Sequence, residues 1–212
     1  AFSGSGSLSL AGGNLNLPSS NTVAWTNSGA LTNTGTLIVD ALAVVNAGGS
    51  ATTASAYAAV GNGIEQSASG THEALTLTNS GSILVEATAS VGSATTGSSS
   101  SSWASNGVAG AYIGNGISQT ASANEASVAL TNTVDGIIDV SAFGSASASG
   151  YADVDVSVGN GVVQYADSLI GDATITADNS GTISVSAKAV ADANDGLGDD
   201  AYAQPLEASL QA

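Results

Sequence analysis

The chain contains no cysteine and no methionine in its 212 residues. A disulfide framework and a thiolate metal site are thereby excluded, and no side chain offers an oxidisable sulfur. Basic residues are almost as scarce. Lys188 is the single Lys or Arg against 17 carboxylates, and the formal net charge is −16. Nothing is available to neutralise phosphates, so nucleic acid is excluded as a partner. The same deficit excludes attraction to an anionic membrane surface. No run of about twenty apolar residues occurs, so membrane insertion as a helix is not expected. Proline is rare, with 2 residues, and aromatics make up 4%. A trypsin-like protease would find only Lys188. A chain of this kind suits a harsh, protease-rich exterior, and we expect an extracellular or cell-surface location. The start Ala1-Phe2-Ser3-Gly4 reads as a mature end left by processing.

What is present is mostly small and recurrent. Apolar residues reach 43%, with Ala supplying much of that, and mean hydropathy is positive. Disorder needs low hydropathy and high charge, so it is rejected for most of the chain. The segment Val60-Gly61-Asn62-Gly63-Ile64-Glu65-Gln66 returns as Ile113-Gly114-Asn115-Gly116-Ile117-Ser118-Gln119 and as Val158-Gly159-Asn160-Gly161-Val162-Val163-Gln164. A second motif interleaves: Asn33-Thr34-Gly35-Thr36-Leu37, Asn79-Ser80-Gly81-Ser82-Ile83 and Asn179-Ser180-Gly181-Thr182-Ile183. A looser copy starts at Asn132 and carries two extra residues before Ile137-Ile138. Asn33, Asn79, Asn132 and Asn179 are 46, 53 and 47 residues apart. A fixed period near 46 residues marks repeated architecture.

Inside each copy the period is two. Leu37, Val39, Ala41 and Ala43 share one face, matched by Ile83, Val85, Ala87 and Ala89, by Ile183, Val185, Ala187 and Ala189, and in the loose copy by Ile138, Val140 and Ala142. Asp40, Glu86, Ser141 and Ser186 fall on the other face. One buried and one wet face is the pattern of a strand, and no stretch shows a helical stripe. We expect an all-β fold, a β-solenoid (β-helix) built from repeats of about 46 residues. The alternative is a repeated antiparallel β-sandwich, because Asn62-Gly63, Asn115-Gly116 and Asn160-Gly161 carry the composition of two-residue hairpins. Three segments follow: a lead-in at 1–24, whose alternating residues 5–17 could serve as a donor strand; a β-repeat domain at 25–187; and an acidic cap or tail at 188–212.

Polar positions also fall into columns. Gln66, Gln119 and Gln164 share the parity of the apolar residue two places earlier, so each should face inward. Stacked identical amides can satisfy one another up a column. Asn62, Asn115 and Asn160 form a second candidate column, and Asn33, Asn79, Asn132 and Asn179 a third. All ten are read as structural ladders.

Strings such as Leu77-Thr78-Asn79-Ser80-Gly81-Ser82-Ile83 and Asp178-Asn179-Ser180-Gly181-Thr182-Ile183 resemble the β-strand repeats of bacterial surface proteins, autotransporter-like passengers and filamentous adhesins. The resemblance covers about residues 26–187 and rests on composition and turns. It implies a right-handed β-solenoid displayed outside the cell, with adhesive or structural duty and no catalytic residues. Two departures stand out. The period exceeds one usual coil of that family, and no outer-membrane barrel is visible, which implies a released segment or a stand-alone subunit.

Few residues are equipped for chemistry. His72, the only histidine, adjoins Glu73 and is read as a surface residue on a loop. No nucleophile elbow has a helix to support it. A lyase would need basic residues beside carboxylates, so we expect no enzyme, no catalytic residues and no cofactor. Calcium is the one ion considered. Asp192, Asn194 and Asp195, followed by Asp199 and Asp200, gather hard oxygen ligands, although their spacing is not that of an EF-hand. An ice-binding face is disfavoured, because Asp178 breaks the column of Thr32, Thr78 and Thr131. Trp25, Trp103 and the tyrosines occupy non-equivalent positions and are read as scattered packing residues rather than a sugar platform. The function expected is a non-enzymatic subunit of an extracellular filament or surface layer, a homopolymer joined through strand edges. An adhesin module for a glycan or surface protein is the alternative.

Overall fold

A computed structural model describes residues 2–3, 8–10, 14–18, 25–26, 29–47, 53–93, 104–193 and 199–205. Among them the protein is all-β, with no helix. The strands are β1 (Phe2–Ser3), β2 (Leu8–Leu10), β3 (Asn14–Pro18), β4 (Trp25–Thr26), β5 (Ala30–Asn33), β6 (Thr36–Ala47), β7 (Thr53–Asn79), β8 (Ser82–Ser93), β9 (Asn106–Asn132), β10 (Ile137–Ala148), β11 (Tyr151–Ser168), β12 (Ala173–Asn179), β13 (Thr182–Ala193) and β14 (Asp199–Pro205).

They form two sheets. One runs β13-β10-β8-β6-β3. The other follows β1-β4-β7-β9-β11-β14, with β5 on β7, β2 on β5 and β12 on β9. Every pairing among the described residues is parallel. This overturns the antiparallel sandwich. It also overturns the hairpin reading of the Asn-Gly pairs, since Asn62, Asn115 and Asn160 lie inside β7, β9 and β11 and pair with one another in parallel. A hairpin folds a strand back on itself, whereas here each chain segment pairs with one far away in sequence.

The register superimposes like on like. Leu37 pairs with Ile83, Ile83 with Ile138, and Ile138 with Ile183; one step on, Val39, Val85, Val140 and Val185 do the same. A one-residue slip would turn all of these to water, so the alternating pattern fixes the register. Their inward faces meet those of β7, β9 and β11, where Ala54, Ala56, Ala58, Val60 and their partners are buried. The main core is therefore rich in Ala and Val, as close sheet approach requires. A second, thinner apolar cluster holds Ala68, Leu75, Ala121, Ala123, Ala126 and Val128.

Residues 8–10 and 14–18 of the lead-in pair with β5 and β6 of the same chain. At the other end, β13 continues through Lys188 to Ala193, and β14 lies in parallel on β11.

Candidate functional site

The inward glutamines stand between the two apolar clusters. Gln66, Gln119 and Gln164 are each 0% exposed. Gln164 Nε2 donates to Gln119 Oε1 at 2.9 Å, and Gln119 Nε2 donates to Gln66 Oε1 at 2.6 Å. Each amide also reaches across the thin cluster to a backbone carbonyl: Gln66 to Thr76 at 3.2 Å, Gln119 to Ala129 at 3.3 Å and Gln164 to Thr176 at 3.2 Å. A buried amide left unpaired costs about 1–3 kcal/mol, so each rung stabilises the next. Gln164 Oε1 ends the column, buried and without a partner.

The asparagine columns use the same device with opposite polarity in one case. Asn33 Nδ2 donates to Asn79 Oδ1, Asn79 to Asn132 and Asn132 to Asn179, each at 2.8 Å. Donors in this column point toward later rungs, and those of the glutamines toward earlier ones. In the third column Asn115 donates to Asn62 at 2.7 Å and Asn160 to Asn115 at 2.9 Å, while Asn62 donates to Glu65 at 3.0 Å. Glycine is required beside this column. A Cβ on Gly116 would meet the Gly161 carbonyl and the Val140 side chain, and one on Gly63 the Gly116 carbonyl and Val85. These close approaches explain the second Gly in each Gly-Asn-Gly copy.

Three of the five calcium candidates, Asp192, Asp199 and Asp200, lie among the described residues, on β13 and β14. Asp192 is exposed on β13, in register with Ser147, and Asn194 and Asp195 lie outside the described residues. Asp199 and Asp200 are in β14, paired with Ala152 and Asp153. Among the described residues no group of three or more His, Asp or Glu is placed to hold a metal ion. His72 is exposed, but within β7 rather than on a loop, and its register partner is Glu125. Their side chains approach at 3.5 Å beside an open groove that includes Glu73 and Asp172. At 68% and 61% side-chain exposure this pair sits in water and contributes little. Elsewhere, Asp40 is the register partner of Glu86, and its Oδ1 is buried without a partner.

The tyrosines are less scattered than their sequence positions imply. Tyr57 on β7, Tyr112 on β9 and Tyr151 on β11 all point to the outer face of one sheet, beside Asp153 and Asp155. Gly110 pairs with both Tyr57 and Asp155. A Cβ on Gly110 would lie 2.7 Å from Tyr57 Cδ1 and 2.8 Å from Tyr112 Cε2, so both rings lean over this bare stretch of backbone. Tyr112 Oη donates to Asp155 Oδ2 at 3.2 Å. Burial, then the Asp155 charge and this hydrogen bond, hold the Tyr112 phenol above its ordinary pKa. The grouping was latent in the motif spacings, since an offset of 53 carries Tyr57 to Gly110 and one of 45 carries Gly110 to Asp155.

No protein family, curated protein or solved structure matches the chain.

Proposed function

We propose that the two parallel sheets are faces of a β-solenoid whose turns are the repeats of about 46 residues. On this reading the protein is a non-enzymatic structural subunit of an extracellular filament or surface layer, and copies of it join through strand edges. The observation that carries the reading is β13. This 12-residue strand pairs with β10 on one side only among the described residues. Its inward residues Ile183, Val185, Ala187, Ala189 and Ala191 are half-buried, whereas Ile138, Val140 and Ala142 beside them are 0–2% exposed. An open edge of unpaired backbone groups is a template for another strand.

Parallel addition of a second copy would cover that row and continue the asparagine column beyond Asn179. Donation of the lead-in strand to a neighbour would have to displace its pairing with β5 and β6. A net charge of −16 opposes close approach, so assembly should need salt or a divalent cation such as calcium. The missing sulfur and scarce trypsin sites favour service outside the cell. The test is negative-stain electron microscopy of purified protein with calcium and with chelator. Uniform fibres are expected with calcium; isolated short rods under both conditions would overturn the filament reading. The adhesin alternative draws its support from the exposed tyrosine–aspartate face.

A further inference from the structure

Five tyrosines occur in the whole chain, and three of them, Tyr57, Tyr112 and Tyr151, group on the outer face of one sheet, while Tyr165 is exposed further along β11. Tyr57, Tyr112 and Tyr151 lie on three neighbouring strands, β7, β9 and β11. Neighbouring strands are about 4.8 Å apart and same-face residues about 7 Å apart along a strand, so these positions form one continuous patch. Tyr57 is 61% exposed and Tyr151 38% exposed. Asp155 is exposed and Asp153 is half-buried within the same patch.

Core packing does not account for this grouping, because the side chains stand on the wet face. Aromatic rings offer a flat apolar surface and a negative π-face. The adjacent carboxylates add full negative charge, in a protein with one basic residue. Anionic ligands are repelled. Rings on three neighbouring strands suit a rigid ligand of repeating units, which loses less conformational freedom on binding than a flexible peptide. A rigid ligand that brings an apolar ring face and a positive charge together matches all of these features.

We propose that the face carrying Tyr57, Tyr112, Tyr151, Asp153 and Asp155 binds a glycan of amino sugars. The pyranose faces stack on the tyrosine rings, and the protonated amines meet the aspartates and the π-faces. This inference does not depend on filament formation.

The test is calorimetric titration of the full chain with a glucosamine oligosaccharide, at a pH where its amines are protonated, against the N-acetylated oligosaccharide of equal length and a lysine-rich peptide. The glucosamine oligosaccharide should bind most tightly. Tyr57→Ala and Asp155→Asn should each weaken it about tenfold, and Tyr57→Phe should retain most of the affinity. Far-UV circular dichroism verifies that the variants keep their strand content. Equal binding of the N-acetylated oligosaccharide would overturn the role of the charge. Tighter binding of the peptide, no binding at all, or binding indifferent to both variants would overturn the proposal.

Discussion

Gln164 and Gln119 lie 45 residues apart in sequence, yet the amide of one donates to the amide of the other at 2.9 Å in the buried interior. Gln119 is satisfied on both sides and Gln164 on one, because Gln164 Oε1 has no partner. The two positions should therefore differ in cost. Gln119→Leu strands the Gln66 oxygen and breaks the link to Gln164, and should lower stability by about 2–3 kcal/mol. Gln164→Leu strands the Gln119 oxygen but removes an already unpaired one and leaves no further amide unlinked, so it should cost less. Urea denaturation of both variants gives the comparison, and equal losses would refute the role assigned to the column.

The glycines of the Gly-Asn-Gly copies should be intolerant of a single methyl group. Gly116→Ala drives a Cβ into the Gly161 carbonyl and Val140, an overpacking that costs about 1–3 kcal/mol. Gly92→Ala meets only Asn46 Oδ1 at 3.6 Å and should be neutral within about 0.5 kcal/mol. Thermal melts of the two variants read the contrast directly.

Asp40 and Glu86 are register partners on adjacent strands. Like charges directly opposite are destabilising, and Asp40 Oδ1 is buried without a donor. The later positions of that column, Ser141 and Ser186, are uncharged. Asp40→Ser should raise stability by about 0.5–1 kcal/mol at low salt. The gain should shrink as salt screens the pair, which denaturation at two ionic strengths would reveal.

Tyr112 gives the alkaline limb of stability a specific contributor. Its phenol titrates above the ordinary value of 10.0 because the fold favours the neutral form. The associated stability is fully present below the unfolded value and is lost as pH rises through the raised folded one. Tyr112→Phe should flatten the fall in urea midpoint between about pH 8 and about pH 11. Asp155→Asn should flatten it in part, since it removes the second cause of the shift.

The fold class was legible because alternation and spacing agree. Leu37, Val39 and Ala41 announce a strand, and the recurring Asn-Ser-Gly places Ile83, Val85 and Ala87 beside them. The inward turn of Gln66 follows from its parity with Ile64. Strand direction was legible only as a preference for the solenoid over the antiparallel sandwich. Asn-Gly suits a hairpin in isolation, and only the pairing of Asn62 with Asn115 decides against one. The tyrosine face was hidden for a related reason. Tyr57 and Tyr112 occupy different columns, so column-by-column comparison separates them, while the pairing of Tyr57 with Gly110, two residues before Tyr112 on β9, brings both rings over Gly110. His72 misled through its neighbours: Gly70 and Thr71 suggest a loop, but β7 continues through them.

The connections between the sheets vary while the pairing does not. The chain takes 5 residues from β6 to β7, 12 from β8 to β9 and 2 from β10 to β11. Across all three, like residues still meet like. Register in this molecule is thus set by the paired residues rather than by contour length. Spacer length between the sheets is uncoupled from register, and residues added between β8 and β9 should leave the strand pairing on either side unchanged.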